Sequence, residues 1–259
     1  MPTFAWIVVS ALIGALLSVF CAATFTLKST VARVPLLISY AVGALLGAVF
    51  LAILPHVLQQ TSSVRQLTTT VLIGILAFFA LEKLVLWRHS HVEPLTDLDA
   101  HDEAAEHGRS GLLILIGDVF HNFVDGILIA GAFVADTGLG MVTAIAIIAH
   151  KIPQELGDFL ILSRSGYSRT RAIAFNLLCG GATLVGAVLA YVALQMLESW
   201  IPTLLAVAAA SMIYVAVADL IPGLHKRADL NATLEQVLLI ALGIATIAAL
   251  KFFVTPMVP

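Results

Sequence analysis

The chain has 259 residues, of which 60% are hydrophobic and 11% charged, and its mean hydropathy is +1.04. Soluble domains carry about 25% charged residues, so this composition excludes a water-soluble protein. The net charge of −3 and the pI near 6.2 provide no basic surface for nucleic acid, and no such partner is expected. Apolar residues are spread along nearly the whole chain, which favours one polytopic transmembrane domain over residues 1–259.

Stretches of about 20 apolar residues, enough to cross a bilayer, occur eight times. They cover residues 4–27, 34–58, 67–88, 111–134, 140–163, 171–195, 200–222 and 234–255. Their length and lack of alternating polarity exclude barrel strands, so all eight are predicted to be helices. The first stretch is too long for a signal-peptide core and is expected to stay as a span. Cys21 and Cys179 lie inside apolar runs and are predicted to be small buried residues.

The positive residues of the connections predict the orientation, since Lys and Arg accumulate in short cytoplasmic loops. One set of connections holds nine of them, namely Lys28, Arg33, Arg88, Arg109, Arg164, Arg169, Arg171, Lys226 and Arg227. The other set holds two, Arg65 and Lys251. This asymmetry places both termini outside the cytoplasm.

The longest connection, residues 89–110, is predicted to be cytoplasmic. It carries six acidic residues and four histidines, which are His89, His91, His101 and His107. Such a polar segment cannot bury a core, so disorder is expected. It is either a solvated linker or a weak metal-collecting loop, because imidazole and carboxylate groups bind zinc- and calcium-type ions.

Ionisable residues within spans four and five are unusual, because charges at mid-membrane cost about 2.5–3.5 kcal/mol each. Helical spacing places the polar residues of each span largely on one side. In span four they are Asp118, His121, Asn122 and Asp125, and in span five His150, Lys151, Gln154, Glu155 and Asp158. Two helices that each offer a His with a second donor at i+4 predict a four-ligand metal site for zinc or a neighbouring first-row ion. Structural polar packing is the alternative.

Prolines mark three polar positions. Pro153 predicts a kink beside His150, and irregular backbone at membrane depth often lines a transport site. Spans two and seven end in LAILPH and ADLIPG and run in opposite directions, as in an inverted repeat. His56 and Asp219 thereby become candidates for gating or ion access, or else interfacial polar residues. Glu82 and Lys83 are predicted to form a local ion pair.

HNFVDG in span four and HKIPQELGD in span five resemble the paired signatures of the ZIP (Zrt/Irt-like) divalent metal transporters, in the branch whose fifth span reads HExPxELGD. FALEKL, FNLLCG and DLIP extend the resemblance over most of the chain. It implies eight helices in a 3+2+3 arrangement and a zinc pathway between spans four and five, with iron, manganese or cadmium as further substrates. It places metal positions at His121, Asn122, Asp125, His150 and Gln154.

Three residues depart from that family pattern. Ala52 stands where relatives often have His, Gly223 follows LIP where Glu is common, and Lys151 replaces an acidic residue. Lys151 lies too deep to reach water and is predicted to substitute for a second cation, paired with Asp125, Glu155 or another carboxylate. The alternative is that Lys151 points away from the pathway into a separate ion pair with Glu155.

The leading functional hypothesis is a carrier or selective channel for divalent metal into the cytoplasm, located in the plasma membrane or in the inner membrane of a bacterium. The metal is substrate, and no prosthetic group is expected. No GxxxxGK[ST] loop is present, so ATP does not drive it directly. The bilayer is an expected partner and a homodimer stays open. The alternatives are an intramembrane zinc metallohydrolase, although HExxH is absent, and a metal sensor.

Overall fold

A computed structural model describes residues 2–24, 34–61, 63–90, 103–164, 166–225 and 230–254. These ranges contain no strand and form eight successive helices. They are α1 (Thr3–Thr24), α2 (Val34–Gln60), α3 (Val64–Ser90), α4 (Glu103–Ala135), α5 (Thr137–Arg164), α6 (Arg169–Leu194), α7 (Glu198–Leu224) and α8 (Leu230–Val254). Each predicted span lies mainly on one of them, so the all-helical prediction is confirmed.

Seven of the eight described helices are long and apolar enough to cross a membrane. The exception is α5, which carries Lys151, Glu155 and Asp158 within its length. It packs against α1, α2 and α4, and its polar side chains contact α4 and α6. The orientation of the termini and the 3+2+3 arrangement stay predictions.

The outer helices turn apolar side chains to the surroundings. Leu16 on α1, Leu72 and Leu76 on α3, and Leu238 and Phe252 on α8 are all exposed. A continuous apolar exterior of this kind is incompatible with water. Together with the length of the helices, it indicates a multi-pass membrane protein.

Two helices contain the same irregularity. In α2 a π-helical turn covers Val49–Ile53, and in α7 another covers Val215–Leu220. Each turn is followed at once by a segment with proline near its start, Pro55 in α2 and Pro222 in α7. Proline removes a backbone donor, and π turns are frequent at functional sites. The likeness of LAILPH and ADLIPG therefore extends to their backbone. By contrast, α5 continues through Pro153, and the predicted kink stays a prediction.

The helices α3 and α4 extend into the segment predicted to be disordered. Residues 89–90 belong to α3 and residues 103–110 to α4. The start of α4 reads EAAEH, in which alanine and glutamate favour a helix and the acidic residues favour its N-terminus. The remaining residues of that segment, 91–102, lie outside the described part of the chain.

Glycines allow α4 and α6 to cross in close contact. A Cβ atom on Gly186 would lie 2.1 Å from the carbonyl oxygen of Phe123, and one on Gly126 would lie 1.9 Å from that of Thr183. Small residues at membrane helix crossings permit such an approach. This crossing brings the polar side chains of α6 to those of α4.

The substitution Gly186→Ala should destabilise the protein by about 1–3 kcal/mol, because the added methyl group must push the two backbones apart. Gly181→Ala is the matched control on the same helix, since a Cβ atom there meets nothing within 4 Å and alanine favours a helix. Unfolding of the purified proteins in detergent measures the difference. Equal stability of the two variants would contradict the crossing geometry.

Candidate metal-binding site

Three of the predicted ligands converge between α4 and α5. His121 Nε2 lies 3.7 Å and His150 Nε2 lies 3.6 Å from Asp125 Oδ2, and the two Nε2 atoms are 3.4 Å apart. An ion with four ligands at 2.0–2.2 Å in tetrahedral geometry separates those ligands by about 3.3–3.6 Å. The three atoms are therefore spaced like one face of a zinc coordination tetrahedron.

The local structure orients these ligands. His121 and Asp125 lie one turn apart on α4, so they share a face. His150 Nδ1 lies 3.4 Å from the Ala146 carbonyl, and a proton donated there leaves Nε2 free to bind metal. Asp125 Oδ2 receives no hydrogen bond. The side chains of His150 and Asp125 are each 3% exposed and that of His121 is 23% exposed, so the site is reached past His121.

Asn122 and Gln154 do not join these three ligands. The Asn122 amide donates to the backbone oxygen of Asp118 at 2.9 Å and to its Oδ1 at 3.0 Å. The Gln154 amide donates to the same Oδ1 at 2.7 Å. The structure thus divides the predicted site into a group around Asp125 and a second group around Asp118.

The two remaining acidic residues of α5 lie beyond Gln154 toward the end of the helix. Glu155 is fully buried, and neither of its carboxylate oxygens receives a hydrogen bond. Asp158 Oδ2 is also buried and also receives no hydrogen bond. These unpaired carboxylates are not part of the group around Asp125.

Lys151 is buried, but its predicted partner is wrong. Its ammonium donates to the Thr183 hydroxyl on α6, and among the described residues it forms no ion pair with a carboxylate. The Thr183 hydroxyl in turn donates to Asn122 Oδ1 at 3.2 Å. The close crossing at Gly186 makes this possible, because it brings α6 within reach of both helices. Sequence reasoning missed Thr183, which sits in an apolar run without any motif.

The predicted pair of Glu82 and Lys83 is also not formed. Glu82 accepts a hydrogen bond from the Tyr214 hydroxyl on α7, while the Lys83 ammonium lies 5.9 Å from the ring centre of Phe79. Neighbouring residues on a helix point about 100° apart and do not face each other. Glu82 therefore links α3 to α7.

His56 lies near the C-terminal end of α2. It is 2.9 Å from the Gln60 amide and lines a cavity of about 400 Å³ together with Asp136 and Lys251. The Lys251 ammonium donates to the Leu51 carbonyl in the π turn of α2. Asp219, on the π turn of α7, is exposed.

Comparisons with known proteins identify the family of this chain. Residues 3–251 match the family of ZIP zinc transporters. A protein named zinc transporter ZIP13 from Pongo abelii is 32% identical over 235 residues, covering 84% of this chain and 67% of that protein. Its namesake from Mus musculus is 30% identical over 258 residues, or 86% and 71% of the two chains. Zinc transporter YKE4 from Saccharomyces cerevisiae is 31% identical over 161 residues, or 58% and 46%. This membrane protein therefore belongs to the ZIP zinc transporter family.

Proposed function

We propose that the protein moves Zn²⁺ across the membrane into the cytoplasm through a site formed by His121, Asp125 and His150. The observation that carries this proposal is the spacing of their ligand atoms, 3.4–3.7 Å, which is that of a tetrahedral zinc ion. Three ligands leave a fourth position open for water or for the next group along the pathway. The ion is cargo rather than a cofactor, and iron, manganese and cadmium are further candidate substrates.

The site supports transport better than hydrolysis. A zinc hydrolase needs a general base beside the metal-bound water, and the HExxH position for that base holds Lys151. Gln154 stands at the second-His position, and its amide is bonded to Asp118. The similar proteins carry transporter names. Proteoliposomes that contain a zinc-sensitive dye separate these functions, because transport alone gives a metal-dependent internal signal.

The proposal includes a direction and a place. The excess of Lys and Arg in one set of connections supports a topology with both termini outside the cytoplasm. The proposal also includes the 3+2+3 arrangement of the helices. In this topology the pathway runs from the His56 cavity toward Asp219. His56 and Asp219 would serve ion access at the two ends. We assign the protein to the plasma membrane, or to the inner membrane of a bacterial cell, with a homodimer as the assembly to be tested by cross-linking.

Replacing His121 or Asp125 by Ala should abolish zinc uptake, because each change removes one of three ligands and two cannot hold the ion. The measurement is zinc uptake by cells or proteoliposomes, normalised to the protein in the membrane. His225→Ala is the matched control, since His225 is exposed and lies after the last turn of α7. Near wild-type uptake in either site variant at normal expression would refute the assignment.

Deleting residues 91–107, which removes three of the four histidines of the segment, should leave measurable uptake, because dispersed histidines bind metal weakly and form no pore. The metal dependence of the uptake is expected to change if the segment collects metal. Protease added outside sealed cells should not cleave this segment. A folded but inactive deletion would contradict its dispensability, and external cleavage would contradict the predicted topology.

We further propose that Lys151 substitutes for a second cation. Two metal ions about 3.5–4 Å apart need bridging carboxylates, whose negative charge offsets the repulsion between the ions. The buried Lys151 ammonium is positive instead, so it takes the place of one of the two ions. Lys151 donates a hydrogen bond to Thr183, and Thr183 donates one to Asn122. In the proposal, these bonds hold the ammonium near Asp125. Wild-type protein should therefore show one zinc peak near Asp125 in anomalous scattering, and Lys151→Glu should show two. Two peaks about 4 Å apart in the wild type would contradict the proposal.

A further inference from the structure

We propose that Asp118 is a positioning residue for metal release. Its carboxylate holds the Gln154 amide and thereby keeps the fourth coordination position of the metal site free of a protein ligand. This inference rests on the proposed function, since the ion concerned is the one bound by His121, Asp125 and His150. The role does not require Asp118 to contact the ion.

Gln154 lies where its side chain could complete the site. It follows His150 by four residues on α5, so the two side chains share a face. Asp118 lies 18 residues before Asp136, and Gln154 lies 18 residues after it. The two are therefore level in the hairpin, one helical turn or roughly 5 Å past the histidines. From there the Gln154 carboxamide can turn either toward the ion or toward Asp118.

In the structure the Gln154 carboxamide turns toward Asp118. Its nitrogen donates to Asp118 Oδ1 at 2.7 Å, and a hydrogen bond to a carboxylate is roughly twice as strong as one between neutral groups. Asp118 is buried, so a departing amide would leave a buried oxygen with one donor fewer. This orientation of Gln154 is therefore favoured over one in which its oxygen binds the ion.

A chain of hydrogen bonds from α6 fixes the other amide that contacts Asp118. The Lys151 ammonium, which can only donate, bonds to the Thr183 hydroxyl. That hydroxyl gives its single proton to Asn122 Oδ1 at 3.2 Å. The amide nitrogen of Asn122 then faces Asp118, and it donates to the backbone oxygen at 2.9 Å and to Oδ1 at 3.0 Å. The chain thus orients Asp118 and keeps Asn122 Oδ1 away from the ion.

The two amides would respond differently to the loss of the Asp118 carboxylate. Asn122 keeps its bond to the backbone oxygen of residue 118, whereas the bond of Gln154 is to the side chain. Removing the side chain therefore releases Gln154, whose oxygen can then bind the ion as a fourth ligand. A fourth ligand tightens binding and slows dissociation of the ion, since differences in affinity lie mainly in the dissociation rate. Asp118 in this way favours release.

The test is the change in zinc affinity on Asp118→Ala in the full-length protein, measured by titration of the purified protein in detergent. We expect zinc to bind about tenfold more tightly, at the lower end of the changes that groups around metal ligands produce. Zinc uptake by proteoliposomes should show a lower KM together with a lower kcat. A carboxylate that only orients a ligand gives the opposite sign, since its loss weakens metal binding by about 10–100-fold.

Three further variants assign the effect to Gln154. Adding Gln154→Ala to Asp118→Ala should abolish the gain in affinity, because the released ligand is then absent. Adding Gln236→Ala is the matched control and should keep the gain, since the Gln236 amide donates to the Leu224 carbonyl at 3.2 Å and links α8 to α7. Asp118→Asn retains an acceptor oxygen for Gln154 and should lose most of the gain. Should Asp118→Ala aggregate, Asp118→Leu replaces it, because leucine also lacks an acceptor and fills the space.

Unchanged or weaker zinc binding in a folded protein without an acceptor at position 118 would overturn the proposal. A gain in affinity that survives Gln154→Ala would also overturn it. A wild-type protein that binds zinc but does not transport it would instead refute the proposed function, and the titrations would still decide whether Asp118 withholds Gln154 from the ion.

Discussion

The structure depends on keeping the charges of α5 away from lipid. Lys151, Glu155 and Asp158 lie on one helix, and an ionised residue in mid-membrane costs about 2.5–3.5 kcal/mol. Its polar side chains face α4 and α6: His121 and Asp125 on α4 lie near His150, and Thr183 on α6 accepts a hydrogen bond from Lys151. The exterior of the bundle carries large apolar residues. The candidate metal site lies between α4 and α5.

The crossing of α4 and α6 is the second requirement. With Gly126 against the backbone of Thr183 and Gly186 against that of Phe123, the hydroxyl of Thr183 reaches both Lys151 and Asn122. A hydroxyl solvates the ammonium without neutralising it. Under the proposed function, Lys151 thus lies beside the pathway of the ion without an ion pair to a carboxylate among the described residues. Small residues here support function indirectly, since they set the distance between polar groups on different helices.

Spacing along a helix predicted which residues share a face. It predicted less well which of their side chains contact each other. His121, Asp125 and His150 were predictable, because i, i+4 spacing fixes a face and an apolar span fixes depth. The partner of Gln154 was not, since a face does not determine whether the side chain turns to His150 or to Asp118. Thr183 gave no signal in the sequence, because a threonine in an apolar run resembles any other small residue. Charge alone also misjudged Lys151, which a hydroxyl satisfies.

The link between α4 and α5 sets the depth of the metal site. Asp136 alone separates Ala135 from Thr137, and its Oδ1 accepts a hydrogen bond from the Leu139 amide at 2.7 Å, which caps the start of α5. His121 precedes Asp136 by 15 residues and His150 follows it by 14. At 1.5 Å per residue both histidines lie roughly 21–22 Å from the turn. The two separations differ by one residue only, which lets the two imidazoles lie at nearly the same depth.

That depth also indicates how the pathway is divided. The bilayer core is about 30 Å thick, so with the turn at the bilayer surface a candidate site roughly 21–22 Å away would lie beyond the midplane. The cavity beside Asp136 reaches Val142 on α5. Ala146 and Ile147, both buried, come next along the helix before His150. His121 and Asp219 are accessible on the far side. Buried apolar residues therefore lie between the turn and the candidate site, and the exposed side chains lie beyond it. Under the proposed function, transport would require these apolar residues to move apart while the hairpin keeps the two histidines at one depth.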